Sequence, residues 1–271
     1  MSERRQLRPL GEFPLAERAQ IRALLTDIDD TLTDQGRLPA ASYGAMERLR
    51  EAGLIIIPVT GRPAGWCDLI ARQWPVDAVV GENGAFYFRH LEREKRMQRV
   101  HALDADTRAA NRARLEAIKA EVLAAVPGAA VAADQDYREA DLAVDFAEDI
   151  APLPPAAIDR IVAIFERHGA TAKVSSIHVN GWYGAYDKLS MARRLLDEAF
   201  DIDADADRMS VVFIGDSPND GPMFRHFPHG VGVANVLDFA ARLADKPQWV
   251  TRARAAFGFV ELADALLAAR A

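Results

Sequence analysis

Short apolar runs alternate along this chain with longer segments whose apolar residues recur at helical spacing. IRALLTDID at 21–29 is an apolar run that breaks abruptly into acids, the pattern of a parallel strand buried on both faces. LPAASYGAMERLREAG at 38–53 has helical spacing, with Gly53 placed to cap its end. LIIIPVTGR at 54–62 reads as a second strand, AGWCDLIARQW at 64–74 as a helix, and VDAVVGENGAFYF at 76–88 as a third strand running into a hairpin. Strand–helix–strand alternation of this kind predicts a parallel sheet with right-handed crossovers.

From about residue 104 the pattern changes. A long helix, DADTRAANRARLEAIKAEVLAAVPG, is ended by Pro127 and Gly128. The strand DLAVDFA, the helix PPAAIDRIVAIFERHG and the segment TAKVSSIHVNGWYG, one or two strands, follow as a small α/β set of their own. The first pattern then resumes. YDKLSMARRLLDEAF is a helix, MSVVFIGDSPND a strand with a polar tip, HGVGVANV another strand and ELADALLAAR a closing helix. The fold class expected is therefore α/β. A doubly wound, Rossmann-like parallel-sheet core comes from residues 1–103 and 188–271, and a smaller α/β domain at 104–187 interrupts it. Residues 1–20 read as an extension or a short amphipathic turn.

Composition narrows the setting. With 50% hydrophobic and 27% charged residues the chain is of ordinary globular type. A net charge of −7 gives no footprint for a nucleic-acid backbone. The single cysteine, Cys67, rules out an internal disulfide and reads as a small apolar residue near a helix. The first residues lack the apolar stretch of a secretory signal, and no stretch is long enough to span a bilayer. A cytoplasmic protein is expected, with no nucleic-acid or membrane partner; its oligomeric state is not legible.

Four polar clusters stand where the apolar runs end, and ligands of open parallel sheets bind at those carboxyl ends. In the first, Asp27 and Asp29 share a face of extended chain. Two such carboxylates repel unless a cation lies between them or one is protonated. A hard divalent cation fits them. A carboxylate also attacks phosphorus to form an aspartyl phosphate, while a second carboxyl moves the protons. Taken alone, the cluster is equally an acidic loop capping the next helix. Thr60-Gly61-Arg62 offers a hydroxyl and backbone amides to a phosphate, though a Thr-Gly turn is also common punctuation. Lys188, opening a helix after the insert, is a point charge for a carboxylate and a phosphoryl oxygen. Asp216, Asn219 and Asp220 in GDSPND suit a metal or its surroundings, or simply a surface turn.

DIDDTLT, VTGR, Lys188 and GDSPND, in that order, resemble the haloacid dehalogenase superfamily. The long insert and ENGA at 82–85 resemble its subclass IIB, the Cof-like and sugar-phosphate phosphatases with a C2-type cap. The resemblance implies Asp27 as nucleophile and Mg²⁺ ligand. It implies Asp29 as general acid and base, with its carbonyl on the metal, and Asp216 as a further ligand. Thr60 would hold the phosphoryl group, Lys188 would brace it against Asp27, and Asn219 and Asp220 would support. One departure is Asp30, where many relatives have glycine; its side chain is expected to point away from the phosphate.

The insert should choose the leaving group. In an alternating strand at 175–184, Ser176, His178 and Asn180 share a face that would contact substrate, with Trp182 or Tyr183 beside a ring. Arg62 and Asn83 are further substrate candidates on the core side. The expectation is a Mg²⁺-dependent phosphatase acting on a small-molecule phosphate ester, a sugar or polyol phosphate. The alternatives are a sugar phosphomutase of the same superfamily and a catalytically silent sugar-phosphate-binding protein.

Overall fold

The computed structural model describes residues 7–239 and 243–270. The first stretch contains β1 (Arg8–Pro9), α1 (Leu15–Arg18), β2 (Ala23–Thr26), α2 (Ala40–Glu51), β3 (Ile55–Pro58) and α3 (Ala64–Gln73). Then come β4 (Val79–Gly81), β5 (Phe86–Leu91) and β6 (Arg96–His101). The insert supplies α4 (Ala105–Ala125), β7 (Ala130–Val131), β8 (Leu142–Asp145), α5 (Pro155–Arg167), β9 (Thr171–Val174) and β10 (His178–Trp182). The chain closes with α6 (Lys188–Phe200), β11 (Val211–Gly215), α7 (Gly221–His226), β12 (His229–Gly232), β13 (Trp249–Val250) and α8 (Ala255–Leu267).

Six strands form one sheet in the order β1-β13-β12-β11-β2-β3, and every pairing in it is parallel. Successive side chains leave opposite faces of a strand, so each central strand serves two apolar layers. Leu24, Ile56, Val212 and Ile214 pack with Met46 and Leu49 of α2, Ile70 of α3 and Phe259 of α8. Leu25, Ile57 and Phe213 pack with Met191 and Leu195 of α6 and Phe224 of α7. Burial on both faces is why these strands read as unbroken apolar runs. The insert has a core of its own: Ile118 and Val122, Val144, Ile161 and Phe165, and Val179 meet above the antiparallel sheet β7-β8-β10-β9. This is the expected fold class, a parallel-sheet core with an α/β cap. Where the chain returns from the insert, Asp187 passes Gly84, which has φ +105°, and a Cβ there would lie 2.0 Å from the Asp187 carbonyl oxygen. Glycine alone permits that approach.

Three local expectations need correction. Of the two readings of 1–20, a short turn fits α1, but an extension does not hold for the rest: β1 pairs with β13, Leu10 and Phe13 are buried, and Phe13 stacks on Trp249 at 5.1 Å. Residues 1–6 lie outside the described residues. β4 meets the parallel sheet through a parallel bridge between Val59 and Val80, with Asp77 N–H donating to the Ile56 carbonyl at 2.9 Å just before it, but its ladder belongs to the antiparallel sheet β4-β5-β6. Residues 175–184 are not one alternating strand. Ser175 Oγ accepts from the backbone N–H of His178 at 2.9 Å and turns the chain, so Ser176 lies in a hairpin turn before β10. No helix among the described residues is long and apolar enough to cross a membrane.

Candidate active site

The parallel register sets the carboxyl ends of β2, β3 and β11 side by side. Asp27 follows β2, Thr60 follows β3 and Asp216 follows β11. Asp27 is pinned by its own N–H to the Ile214 carbonyl, 2.9 Å away. Lys188, the first residue of α6, brings its buried ammonium to 2.7 Å from Asp27 Oδ1 and 2.8 Å from Asp220 Oδ1. Asp220 folds back so that Oδ2 accepts from the N–H of Asp216 at 3.1 Å and of Ser217 at 3.3 Å. A Cβ on Gly215 would lie 2.3 Å from that Oδ2, so the glycine makes the fold-back possible.

Oxygens of Asp27, Asp216 and Asp220 lie within 4.8 Å of one another, and all three residues are buried. Burial pushes the Asp27 carboxyl up to about 7, with Asp220 and Asp29 adding to the rise and Lys188 opposing it. Burial raises Asp216 well above the carboxylate range too, helped by Asp27, Asp220 and Asp30. Burial also works against the Lys188 charge, but Asp220 and Asp27 outweigh it and hold the ammonium above its ordinary range. Three acids and one lysine leave negative charge that a hard cation would neutralise. Asp27 and Asp216 are the open donors, because both Asp220 oxygens are already engaged.

Asp29 is close by, but its carboxylate faces Arg62. Arg62 Nη2 lies 2.8 Å from Oδ1, and Nε donates to both oxygens at 3.0 and 3.1 Å. The same Nη2 reaches Glu148 Oε1 of the cap at 2.8 Å, and Arg62 Nη1 is 3.6 Å from Asp134. Burial raises Glu148, yet His178 and Arg62 outweigh that and hold it down at about 2. His178 Nε2 lies 2.8 Å from Glu148 Oε2. Asn180 donates to Asp141 at 3.0 Å, and Arg138 ties Asp141 and Asp134 to the core carbonyl of Gly61. Between core and cap a cavity of about 20 Å³ remains, room for one water. Asp27, Asp29, Arg62, Asp216 and Asn219 wall it from below; Ser176, His178 and Asn180 wall it from above.

The expected cap residues thus meet the core site, with His178 and Asn180 already partnered. Trp182 and Tyr183 do not. Trp182 is buried against Tyr186, to whose carbonyl its Nε1 donates at 3.3 Å. The Tyr183 hydroxyl bonds the His168 carbonyl, and Arg114 covers its ring. Thr60 is fully buried, and its hydroxyl accepts from the Arg62 N–H at 3.0 Å. Asn83 is buried against Gly61, outside the cavity wall, and its Nδ2 has no hydrogen-bond partner. Asp30 has φ +55° and looks to the cap. Burial and then Asp29 raise its carboxyl, while a hydrogen bond from Ser176 lowers it.

Four residues that sequence reasoning missed complete the setting. Asn235 Nδ2 donates to Asp216 Oδ2 at 3.3 Å and to the Asp30 carbonyl at 3.0 Å. Glu82, fully buried, accepts N–H bonds from Ala64, Glu139, Ala140 and Asp141 at 2.6–3.2 Å and so fastens the cap to the core. Arg138 and Glu148 are the others. Glu82 stood in view within ENGA; the rest are single polar residues with no periodic or motif signal.

Residues 24–112 match the model of the haloacid dehalogenase-like hydrolase family. No curated protein matches the chain by sequence. Among solved structures, its fold is similar to that of Thermoplasma acidophilum protein 0175, with TM-score 0.69 and 18% identity over 91% of this chain and 98% of that one. It is similar to the sucrose-phosphatase of Synechocystis sp. PCC6803, with TM-score 0.63 and 16% identity over 91% and 98%. It is also similar to the C-terminal domain of trehalose-6-phosphate phosphatase from C. albicans, with TM-score 0.68 and 12% identity over 98% and 99%. The matched stretch, residues 24–112, contributes Asp27 and Thr60 at the ends of β2 and β3, and the parallel register sets them beside Asp216 at the end of β11.

Proposed function

We propose that this chain is a Mg²⁺-dependent phosphomonoester hydrolase that works through an aspartyl phosphate on Asp27, with a sugar or polyol phosphate as substrate. Residues 1–103 and 188–271 act as core and 104–187 as cap. One observation carries the reading: a buried carboxylate, Asp27, is braced by a buried lysine and grouped with two further acids at the ends of parallel strands. Phosphoryl transfer requires in-line positioning and charge neutralisation above all. Asp27 and Asp216 would hold Mg²⁺, together with the Asp29 carbonyl that family resemblance adds. The ion supplies positive charge against the phosphoryl oxygens.

An Asp27 oxygen attacks phosphorus as the bond to the leaving oxygen breaks, and Asp29 gives that oxygen a proton. Asp29 then takes a proton from water, which attacks the phosphorus and releases phosphate and free Asp27. Arg62 clamps both Asp29 oxygens, so loosening of Arg62 accompanies these proton transfers. Thr60 and Lys188 steady the phosphoryl group. The polar cap wall of Ser176, His178 and Asn180 supports a hydroxyl-rich leaving group, and the fold's similarity to a sucrose-phosphatase and a trehalose-6-phosphate phosphatase points the same way.

The test is phosphate release from a panel of sugar, polyol and nucleotide monophosphates, with and without Mg²⁺. Asp27→Asn should lose turnover by several orders of magnitude. Mg²⁺-dependent release that survives in that variant would overturn the assignment.

A further inference from the structure

A second cavity, of about 300 Å³, lies beside the acidic site between the loop after Asp27 and helix α3. Ile28, Leu38, Trp66, Leu69 and Trp74 line it. Small-molecule pockets range over about 300–1,000 Å³ and are mostly apolar with a few polar groups, as here. Trp66 is 42% exposed and Leu69 50%, so much of this apolar surface stands in water. Covering it returns about 25 cal/mol per Å².

Arg62 and Asp29 close the inner end. The Arg62 guanidinium stacks over Trp66 at 4.4 Å and is paired with Asp29, Glu148 and Asp134. Arg138, the next cation in the network, is paired with Asp134 and Asp141. Two guanidiniums and the His178 ring, 2.8 Å from Glu148, therefore meet four carboxylates, and the field at this end is negative. It repels an anionic ligand and draws an ammonium, which indole faces also favour.

We propose that this cavity binds a small aromatic amine, its ring against Trp66, Leu38 and Leu69 and its ammonium toward Asp29. Because binding is read directly, the outcome is independent of what the neighbouring site hydrolyses. The experiment is isothermal titration of the full chain with tryptamine and with indole-3-acetate, which carry the same ring and opposite charges, each with and without Mg²⁺. Tryptamine should bind at least about tenfold more tightly than indole-3-acetate, with or without Mg²⁺. Leu69→Gln should weaken it by about tenfold or more, and Leu69→Ala by less; Leu69 is half exposed, so both variants should fold. No binding of tryptamine, equal affinity for the two indoles, or indifference to both substitutions overturns the proposal. So does displacement of tryptamine by Mg²⁺, which would place the amine among Asp27, Asp216 and Asp220.

Discussion

Replacing Lys188 with methionine perturbs the electrostatics of the site with little change of shape. The lysine ammonium lies 2.7 Å from Asp27 and 2.8 Å from Asp220, and methionine keeps most of the apolar stem while deleting the charge. Asp27, Asp216 and Asp220, with oxygens within 4.8 Å of one another, are then left without their brace. Removing one partner of a buried ion pair costs about 3–5 kcal/mol. In a chain of this length each kcal/mol moves the melting midpoint by about 2–4 °C, so a fall of about 6–20 °C is expected in metal-free buffer. The effect also has a sign in pH. The folded value of Asp27, about 7, already stands above its ordinary value of 3.8. A raised carboxyl contributes stability that is complete below the ordinary value and lost as pH rises through the folded one. Losing Lys188 raises it further, so the gap between the parent and Lys188→Met should hold steady up to about pH 7 and be wider at about pH 8 than at about pH 5. Mg²⁺ brings two positive charges to the same acids and should recover most of the lost stability. Calorimetric melts in EDTA and in Mg²⁺ at both pH values test this. A midpoint within about 2 °C of the parent at the higher pH in EDTA would refute the argument, and so would a loss that Mg²⁺ leaves unchanged. On the proposed mechanism turnover should fall by about 10²–10³-fold, since the same charge would face the transferring group.

Glu82→Ala removes the acceptor of four backbone N–H groups; at about 1–3 kcal/mol for each buried donor left unpaired, and with water refilling part of the hole, urea unfolding should show a loss of at least about 3 kcal/mol. Glu148 is held at about 2, below its ordinary 4.5, so its contribution is complete above about 4.5 and disappears as pH falls through about 2. Glu148→Gln should therefore speed hydrogen exchange in the hairpin at 175–178 at neutral pH, and the contrast with the parent should shrink in acid. Asp30→Gly relieves a left-handed backbone at φ +55°, so stability should hold or rise by about 1 kcal/mol in denaturant titration; a clear loss would show that the contact with Ser176 outweighs the strain.

The site's inner groups were legible in the sequence for a local reason. A strand buried on both faces is an unbroken apolar run, and polar residues at its end stand out against it. Asp27, Thr60 and Asp216 are marked in this way, and family order added Lys188. The outer groups carry no such mark. Arg62 was visible beside Thr60, but nothing nearby in sequence says that it joins Asp29 to Glu148, 86 positions away along the chain from Arg62. Arg138 and Asn235 are single polar residues outside the long periodic segments, and the spacing of their neighbours does not distinguish them from solvated ones. Ser176 reaches the cavity from a turn and not from the expected strand, because the Ser175 hydroxyl captures backbone groups that would otherwise continue the ladder.

By itself, then, the chain's pattern of apolar runs determined a parallel sheet, an inserted α/β unit and the acids at the strand ends. These depend on period and burial, which neighbouring residues express together. Only the tertiary structure decided how the cap meets the core: Glu82 holding residues 139–141, Arg62 shared by Asp29 and Glu148, and Trp182 facing inward. Those contacts join residues far apart in the chain. Their energies come from removing charged and polar groups from water together, and that happens only when both surfaces are in place.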